Sequence, residues 1–179
     1  MPFFRHIVMV LFFCNSIALA NPAPAEPLPE SAVAAQWMGK LQGMGRETGA
    51  MTTRLVTAAM GLIGVPYRFG GTSTETGLDC SAFVRTVYEQ TLGLVLPRRA
   101  AEQAQATESI PKDQLQPGDL VFFNTMRRAF SHVGIYIGDG KFIHSPRAGQ
   151  SVRVEDMTKA YWVKRYNGAS RVDTEPTLR

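Results

Sequence analysis

The chain contains few of the residues that cross-link small domains through disulfides or bind metal ions in them. Its 179 residues include two cysteines, Cys14 and Cys80, and three histidines. So few cysteines exclude a dense disulfide framework of the kind found in small secreted domains. The composition, 45% hydrophobic and 19% charged, is instead that of a globular domain with its own hydrophobic core.

Charge of one sign does not dominate the sequence either. Nineteen Lys and Arg residues against fifteen Asp and Glu residues give a formal net charge of +4. No basic run is interleaved with aromatic residues, so the sequence predicts no nucleic-acid partner. A weak positive field favours encounter with a polyanionic target such as a cell wall or an anionic membrane surface.

The N-terminal apolar run, residues 7–13, is too short to cross a bilayer as a helix. A basic start precedes it, and small residues around Ala20 follow it, which is the pattern of a secretory signal peptide. Bulky Phe13 stands before Cys14, where a lipoprotein would need a small residue. We therefore predict that residues 1–20 are a cleaved signal peptide and that the mature protein is periplasmic or extracellular.

The rest of the chain divides into three segments. Residues 21–50 are predicted to be a proline-rich linker followed by a short amphipathic helix, which packs on the domain or contacts a regulatory partner of unknown identity. Residues 51–173 form the predicted compact domain, and residues 174–179 form a tail.

Within the compact domain the apolar pattern predicts helices first and strands afterwards. The first helix carries its apolar face over residues 55–63, the second begins after the N-cap Asp79 and ends at Gly93, and the third runs from Pro97 to about residue 104. Residues 67–77 are predicted to be a loop. Strands are predicted at 120–123, 132–137, 141–144, 151–154, 162–166 and 169–172. This order predicts an α+β domain whose N-terminal helices pack on a central antiparallel sheet.

Cys80 is the one cysteine that remains after the predicted cleavage. A lone thiol cannot form an intramolecular disulfide, so it is either a small buried hydrophobic residue or a nucleophile. Its place in the first turn of a helix favours the thiolate, because free backbone amides and partial positive charge lie there. We therefore expect a lowered pKa for Cys80. The carboxylate of Asp79 opposes this effect unless its capping bonds turn it away from the sulfur.

The two remaining histidines are placed by the predicted hairpin. If residues 138–140 form a three-residue loop, His144 lies opposite Gly134, on the face that His132 occupies. His132 then accepts the proton of the thiol and His144 orients its ring, as in cysteine hydrolases. A two-residue loop would instead turn His144 to the opposite face.

Two alternatives remain open at this point. Each histidine alone is more commonly an ordinary core residue than a catalytic one. Zinc ligation by Cys80, His132 and His144 is a second alternative, although their spacing matches none of the compact zinc patterns. The sequence predicts no metal and no organic cofactor.

Several motifs occur in an order that resembles the NlpC/P60 family of cell-wall cysteine peptidases, whose fold is similar to a reduced papain. They are G-V-P-Y-R-F-G-G (64–71), L-D-C-S-A-F-V (78–84), L-P-R (96–98) with Gln103, Q-P-G-D-L-V-F-F (116–123), S-H-V-G-I-Y-I-G (131–138) and K-F-I-H-S (141–145). The resemblance implies that Cys80 is the nucleophile, His132 the base and His144 the orienting residue. It also implies a substrate-binding role for the residues that line or support the cleft: Tyr67, Asp79, Ser81, Ser131 and Arg98.

The resemblance further implies hydrolysis of the γ-D-glutamyl to diamino-acid bond of peptidoglycan stem peptides, or of a related D,L bond, in cell-wall remodelling or turnover. Two departures put fine specificity in question: Arg99-Ala100 replaces the small hydroxyl residues common after L-P-R, and Ser145-Pro146 follows the third catalytic position. A catalytically silent wall-binding or regulatory module, and an amidase or acyltransferase with the same centre, are the alternatives.

Overall fold

The computed structural model describes residues 49–173. The predicted signal peptide, the linker with its amphipathic helix (apart from residues 49 and 50) and the C-terminal tail lie outside the described residues. Within residues 49–173 no helix is both long and apolar enough to cross a membrane.

Two helices provide the apolar layer that covers the sheet. Helix α1 covers the described residues 49–61 and buries Leu55 and Ala59. Helix α2 spans Cys80–Leu92. As predicted, the Asp79 side chain caps it by accepting a hydrogen bond from the backbone N–H of Ala82 at 2.8 Å, and Gly93 ends it in the left-handed conformation with φ 67°.

The third helix is shorter and begins later than the sequence indicated. Helix α3 spans Ala100–Gln105, whereas the predicted helix started at Pro97. The Pro97 carbonyl instead accepts a hydrogen bond from Gln103 Nε2 at 2.9 Å, which folds α3 back onto the extended segment before it. The Glu102 carboxylate accepts from the backbone N–H of Arg99 at 3.2 Å and so completes the N-terminus of α3.

The centre of the domain is an antiparallel sheet, and a two-stranded antiparallel hairpin lies apart from it, just before α2. The strands are β1 Thr72–Ser73, β2 Gly77–Leu78, β3 Glu108–Ile110, β4 Leu120–Phe123, β5 His132–Gly138, β6 Lys141–His144, β7 Arg153–Asp156 and β8 Tyr166–Arg171. The hairpin consists of β1 and β2, and the central sheet has six strands in the order β3-β8-β4-β5-β6-β7.

Two strand predictions and one loop prediction need correction. The predicted strand 162–166 is wrong: Ala160–Val163 form a short helix, α4, and the chain becomes extended only at Tyr166. The helical turn directs Trp162 into the core against Phe123 and Phe142, a non-local contact that overrides local strand preference. The predicted strand 151–154 lies slightly later as β7, and part of the predicted loop 67–77 pairs as β1 and β2.

The sheet separates two buried clusters, because successive side chains of a strand point to opposite faces. Leu120 and Phe122 of β4 pack under the helices, whereas Val121 and Phe123 pack in the cluster around Trp162. On β5 the alternation places Val133 with the helices. The side chain of its neighbour His132 therefore projects towards the cluster that contains Trp162.

Candidate active site

Cys80 is the first residue of α2, which packs against β5. The backbone N–H groups of Val133, Ser81 and Cys80 itself act on the sulfur and favour its charged form. Two of these donors are free because the first amides of a helix have no intrahelical partner. The thiol therefore lies between the start of α2 and the residue that follows His132.

The pKa of the thiol differs from the sequence-based expectation. Burial raises the pKa of Cys80 to about 11, and the negative charge of Asp79 adds to this rise. The backbone N–H groups lower the pKa, but by less. The prediction of a lowered pKa is therefore wrong for the unliganded site, because desolvation outweighs the helix terminus. At neutral pH the sulfur is protonated and needs a base at the moment of attack.

The two histidines are brought together as predicted. Nε2 of His132 lies 2.6 Å from Nδ1 of His144, and the two rings are close to perpendicular at 86°. This hydrogen bond leaves Nδ1 of His132 as the nitrogen available to a thiol.

Burial also determines the protonation of both rings. It lowers the pKa of His132 to about 4, against a smaller opposing effect of the Asp79 charge. The pKa of His144 is lowered as well, by burial and then by the positive charges of His132 and Arg153. Both imidazoles are therefore neutral near pH 7, the state in which His132 can accept a proton.

The hairpin has the predicted arrangement of side chains but a different loop length. Gly138 pairs with Lys141, so the loop has two residues, Asp139 and Gly140, and both have positive φ (51° and 68°). The predicted three-residue loop is therefore wrong. An irregularity in β5 between Tyr136 and Gly138 compensates for the missing loop residue.

Beyond that irregularity Ile135 pairs with Ile143, which leaves Gly134 opposite His144. A Cβ atom on Gly134 would lie 2.7 Å from the Ile143 carbonyl oxygen and 3.1 Å from the His144 Cβ. Glycine is thus required where the two strands carry the histidine pair.

Trp162 is a site residue that the sequence-based reasoning missed. Its ring stacks on His132, with centroids 5.9 Å apart at 25°, and meets His144 edge-on at 5.2 Å. It shields the pair from water and contributes to the burial that lowers both histidine pKa values. No local signal marks this role, because Trp162 reaches the site only through the helical turn of α4.

Tyr67 lies close to the nucleophile. Its backbone N–H donates to the Gln150 carbonyl at 2.8 Å, which anchors the segment before α2 to the loop after β6. Burial raises the pKa of Tyr67, and the charges of Cys80 and Asp79 raise it further. The phenol is therefore a neutral donor beside the sulfur.

Asp79, Ser81 and Arg98 form one hydrogen-bonded cluster at the start of α2. Two guanidinium nitrogens of Arg98 donate to the two Asp79 oxygens at 2.6 and 3.0 Å, and Ser81 Oγ donates to Asp79 Oδ1 at 3.1 Å. Arg98 also donates to Ser81 Oγ at 3.0 Å. The cluster holds the Asp79 carboxylate in its capping position and balances its charge.

Ser131 is engaged with its own loop. Its hydroxyl oxygen accepts from the backbone N–H groups of Thr125 and Met126 at 3.0 and 3.2 Å. Ser145, which the sequence marked only as a departure, donates from Oγ to the Leu78 carbonyl at 2.7 Å. This bond ties the end of β6 to the residues just before the nucleophile.

Two adjoining cavities of about 560 and 710 Å³ meet at Cys80. The residues that line both are Tyr67, Phe69, Cys80, Met126 and Ser131. Phe69 is 80% exposed and Met126 59% exposed, so apolar surface is open to solvent at the middle of the cleft. The thiol therefore lies in a groove that extends to both sides of it, as a peptide substrate requires.

The site geometry does not favour the zinc alternative. Within the described part of the chain no three His, Cys, Asp or Glu side chains cluster as metal ligands. Nε2 of His132 and Nδ1 of His144 face each other across their hydrogen bond, so these nitrogens are not directed at a common ion.

Comparison with known proteins decides the family. The NlpC/P60 family matches residues 64–171, which include every site residue named above. The chain belongs to the NlpC/P60 family.

Named relatives and solved structures agree with this assignment. The chain is 45% identical over 120 residues to murein DD-endopeptidase MepH of Escherichia coli, and 38% identical over 141 residues to γ-DL-glutamyl hydrolase of Bacillus subtilis. These matches cover 65% and 76% of this chain. They span only 44% and 34% of the relatives' lengths.

The crystal structure of an NlpC/P60 family protein from Bacillus cereus matches with a TM-score of 0.63 and 37% identity, over 67% of this chain and 39% of that one. The NlpC/P60 domain of the peptidoglycan hydrolase SagA matches with a TM-score of 0.60 and 32% identity, over 68% of this chain and 98% of that one. The predicted NlpC/P60 α+β fold is confirmed.

Proposed function

We propose that this NlpC/P60 protein is a peptidoglycan hydrolase, a cysteine endopeptidase that cleaves the γ-D-glutamyl to diamino-acid bond of stem peptides. The observation that carries the proposal is a thiol at the middle of an open cleft, close to a buried histidine pair joined at 2.6 Å. Relatives named as murein endopeptidases and as a γ-DL-glutamyl hydrolase support the substrate class.

The first step forms an acyl-enzyme. Nδ1 of His132 takes the thiol proton as the sulfur of Cys80 attacks the scissile carbonyl carbon. The negative charge on the carbonyl oxygen is stabilised by the free backbone N–H groups at the start of α2 and by the hydroxyl of Tyr67. Because thiol and imidazole are both neutral at rest, attack and proton transfer are coupled.

The acyl-enzyme is complete when the C–N bond breaks and the imidazolium of His132 gives its proton to the leaving amine. In the second step His132 removes a proton from the water that attacks the thioester and returns it to the sulfur as the C–S bond breaks, which releases the acid product and regenerates the thiol. His144 accepts the Nε2–H of His132 through its Nδ1, which keeps the proton-free nitrogen directed at the sulfur. Trp162 holds the ring in that plane by stacking.

Digestion of purified peptidoglycan, followed by mass spectrometry of the soluble muropeptides, tests the proposal. Wild type should release fragments that end in a free γ-carboxyl of D-glutamate, and Cys80→Ala should release none while keeping the thermal unfolding midpoint. Iodoacetamide should block the wild-type reaction. Undiminished release by Cys80→Ala would contradict the assignment, and binding without any release by wild type would favour a silent wall-binding module.

Cleavage of the D,D cross-link is the second candidate. It is favoured by the names of two relatives, murein DD-endopeptidase MepH and murein DD-endopeptidase MepS/murein LD-carboxypeptidase, at 45% and 44% identity. The same digest separates the two reactions, because D,D cleavage converts cross-linked dimers to intact monomers and leaves no new D-glutamyl end.

The proposal includes export, on the strength of the signal-peptide pattern in residues 1–20. Expression of the full chain in a bacterial host should give a periplasmic or secreted product whose mass is that of a chain starting at Asn21. A cytoplasmic product of full mass would contradict it.

A further inference from the structure

The charged residues that line the cleft are not balanced. Each of its acidic side chains is already paired with a cation of the same protein. Asp79 is held by Arg98 at 2.6 Å, and Glu155 accepts from Arg153 at 2.5 and 2.9 Å. Glu102 lies beside Arg99, with 3.9 Å between the carboxylate and Nε.

Two arginines of the cleft have no such partner among residues 49–173. Arg128 lines the cavity on the Asp79 side of Cys80, and Arg147 lines the cavity on the Trp162 side. Both side chains are exposed, and neither is in a salt bridge or a side-chain hydrogen bond within the described residues. The groove therefore presents an unneutralised guanidinium on each side of the nucleophile and no unpaired carboxylate. Lys159, which is exposed and in no salt bridge among residues 49–173, is a further cation on the Trp162 side.

We propose that Arg128 and Arg147 bind two carboxylates of the substrate, one on each side of the scissile bond, so that the enzyme selects stem peptides with free carboxylates over amidated ones. This inference rests on the proposed function. A glutamyl residue linked through its γ-carbonyl has its α-carboxyl group outside the linkage, as a carboxylate unless it is amidated. A dicarboxylic diamino acid carries a second carboxylate on the leaving-amine side of the same bond.

The guanidinium group suits this discrimination. It offers paired N–H donors that match both oxygens of a carboxylate, and the ion pair adds to the hydrogen bonds. A carboxamide keeps one acceptor oxygen but directs N–H donors at the guanidinium and carries no charge. Amidation of a substrate should therefore remove most of the interaction without changing the shape of the peptide.

Three peptides that differ only in amidation test the inference: the stem peptide with free carboxylates, the same peptide with an α-carboxamide on the D-glutamyl residue, and the same peptide with an amidated diamino acid. We expect each amidation to lower the kcat/KM of wild type about tenfold, the size of one charge-assisted hydrogen bond in a partly exposed groove. Raising the salt concentration should shrink both ratios, because exposed charges are screened.

Single variants assign the two arginines. Arg128→Gln should abolish the discrimination against one amidated peptide, and Arg147→Gln should abolish the discrimination against the other. Each variant should keep nearly the wild-type kcat/KM on the amidated peptide that it no longer discriminates against, because that peptide already lacks the contact. Arg54→Gln is the matched control: it removes the same charge from an exposed helix position outside the cleft, and both ratios should persist. Thermal unfolding should be unchanged in all three variants.

The outcomes separate this inference from the proposed function. Hydrolysis of all three peptides at equal rates by wild type would overturn the inference and leave the endopeptidase intact. Discrimination that survives in both arginine variants would overturn the assignment of these residues. If wild type cleaves none of the peptides or purified peptidoglycan, the proposed function fails and this inference fails with it.

Discussion

The substitution Gly134→Ala tests how the hairpin positions the histidine pair. A methyl group on Gly134 would lie 2.7 Å from the Ile143 carbonyl oxygen and 2.6 Å from Cδ2 of Phe142, whereas ordinary contacts begin at 3.4 Å. Phe142 is fully buried, and the carbonyl belongs to the backbone of β6. The strand must therefore move by roughly 0.7 Å to accept the methyl group, since overpacked cores relax through backbone shifts.

A shift of this size affects the pair directly. It would lengthen the 2.6 Å contact between His132 and His144 to about 3.3 Å, beyond the usual range of such hydrogen bonds. We expect a loss of about 1–3 kcal/mol in the free energy of unfolding, the usual cost of an extra methylene in a packed core. We also expect about a hundredfold fall in kcat/KM, because small displacements of a catalytic group are costly.

Urea unfolding followed by circular dichroism and hydrolysis of a purified muropeptide measure the two effects. Gly61→Ala is the control, because no atom lies within 4 Å of the added methyl group and the residue ends α1. That variant should keep full activity and its stability to within about 1 kcal/mol. Unchanged activity and stability in Gly134→Ala would refute the inference that strand contact at this glycine holds the pair.

Three further predictions follow from the site. Burial lowers the pKa of His132 from 6.5 to about 4. As the pH falls, His132 is therefore protonated in the unfolded chain before it is protonated in the folded protein. Stability should be complete above pH 6.5 and fall by about 3 kcal/mol as the pH drops to 4. Urea unfolding at both pH values checks this, and an equal fall in His132→Gln would contradict it. Arg98→Met leaves Asp79 without its cation and should lower the free energy of unfolding by about 1–2 kcal/mol. It should also raise the pKa of Cys80, which slows alkylation by iodoacetamide, and Arg98→Lys should partly restore the stability and the alkylation rate. A wild-type alkylation rate in Arg98→Met would argue that Arg98 does not balance the charge of Asp79. Trp162→Ala should remove the cover of His132 and shift the acidic limb of the pH–rate profile upwards, whereas Trp162→Phe should shift it less; identical profiles would show that stacking does not set this pKa.

Much of the fold was predictable because the signals for it are local. The caps of α2, Asp79 and Gly93, act on backbone groups within one turn of the helix, so they are visible in the sequence itself. The alternation along residues 132–137 and the apolar run 120–123 likewise report which side of a strand faces a core. These two strands were placed correctly to within one residue.

The errors lie where a distant contact outweighs a local preference. Trp162 was assigned to a strand, but its packing against Phe123 and Phe142 stabilises a helical turn instead. The hairpin loop was predicted one residue too long, and the irregularity before Gly138 restored the register. That compensation depends on how β5 and β6 lie in the whole sheet, since β4 and β7 pair on their far edges.

The sequence by itself determined the chemistry that is available: one cysteine at a helix start, two histidines on facing strands and a family motif for each. Only the tertiary structure decided the ionisation of these groups, because desolvation depends on everything packed around them. The helix start alone favours a thiolate, but burial raises the pKa of Cys80 to about 11. The same holds for the arginines of the cleft. Their number is evident in the sequence, but which of them lack a partner follows only from how the chain brings acids and bases together.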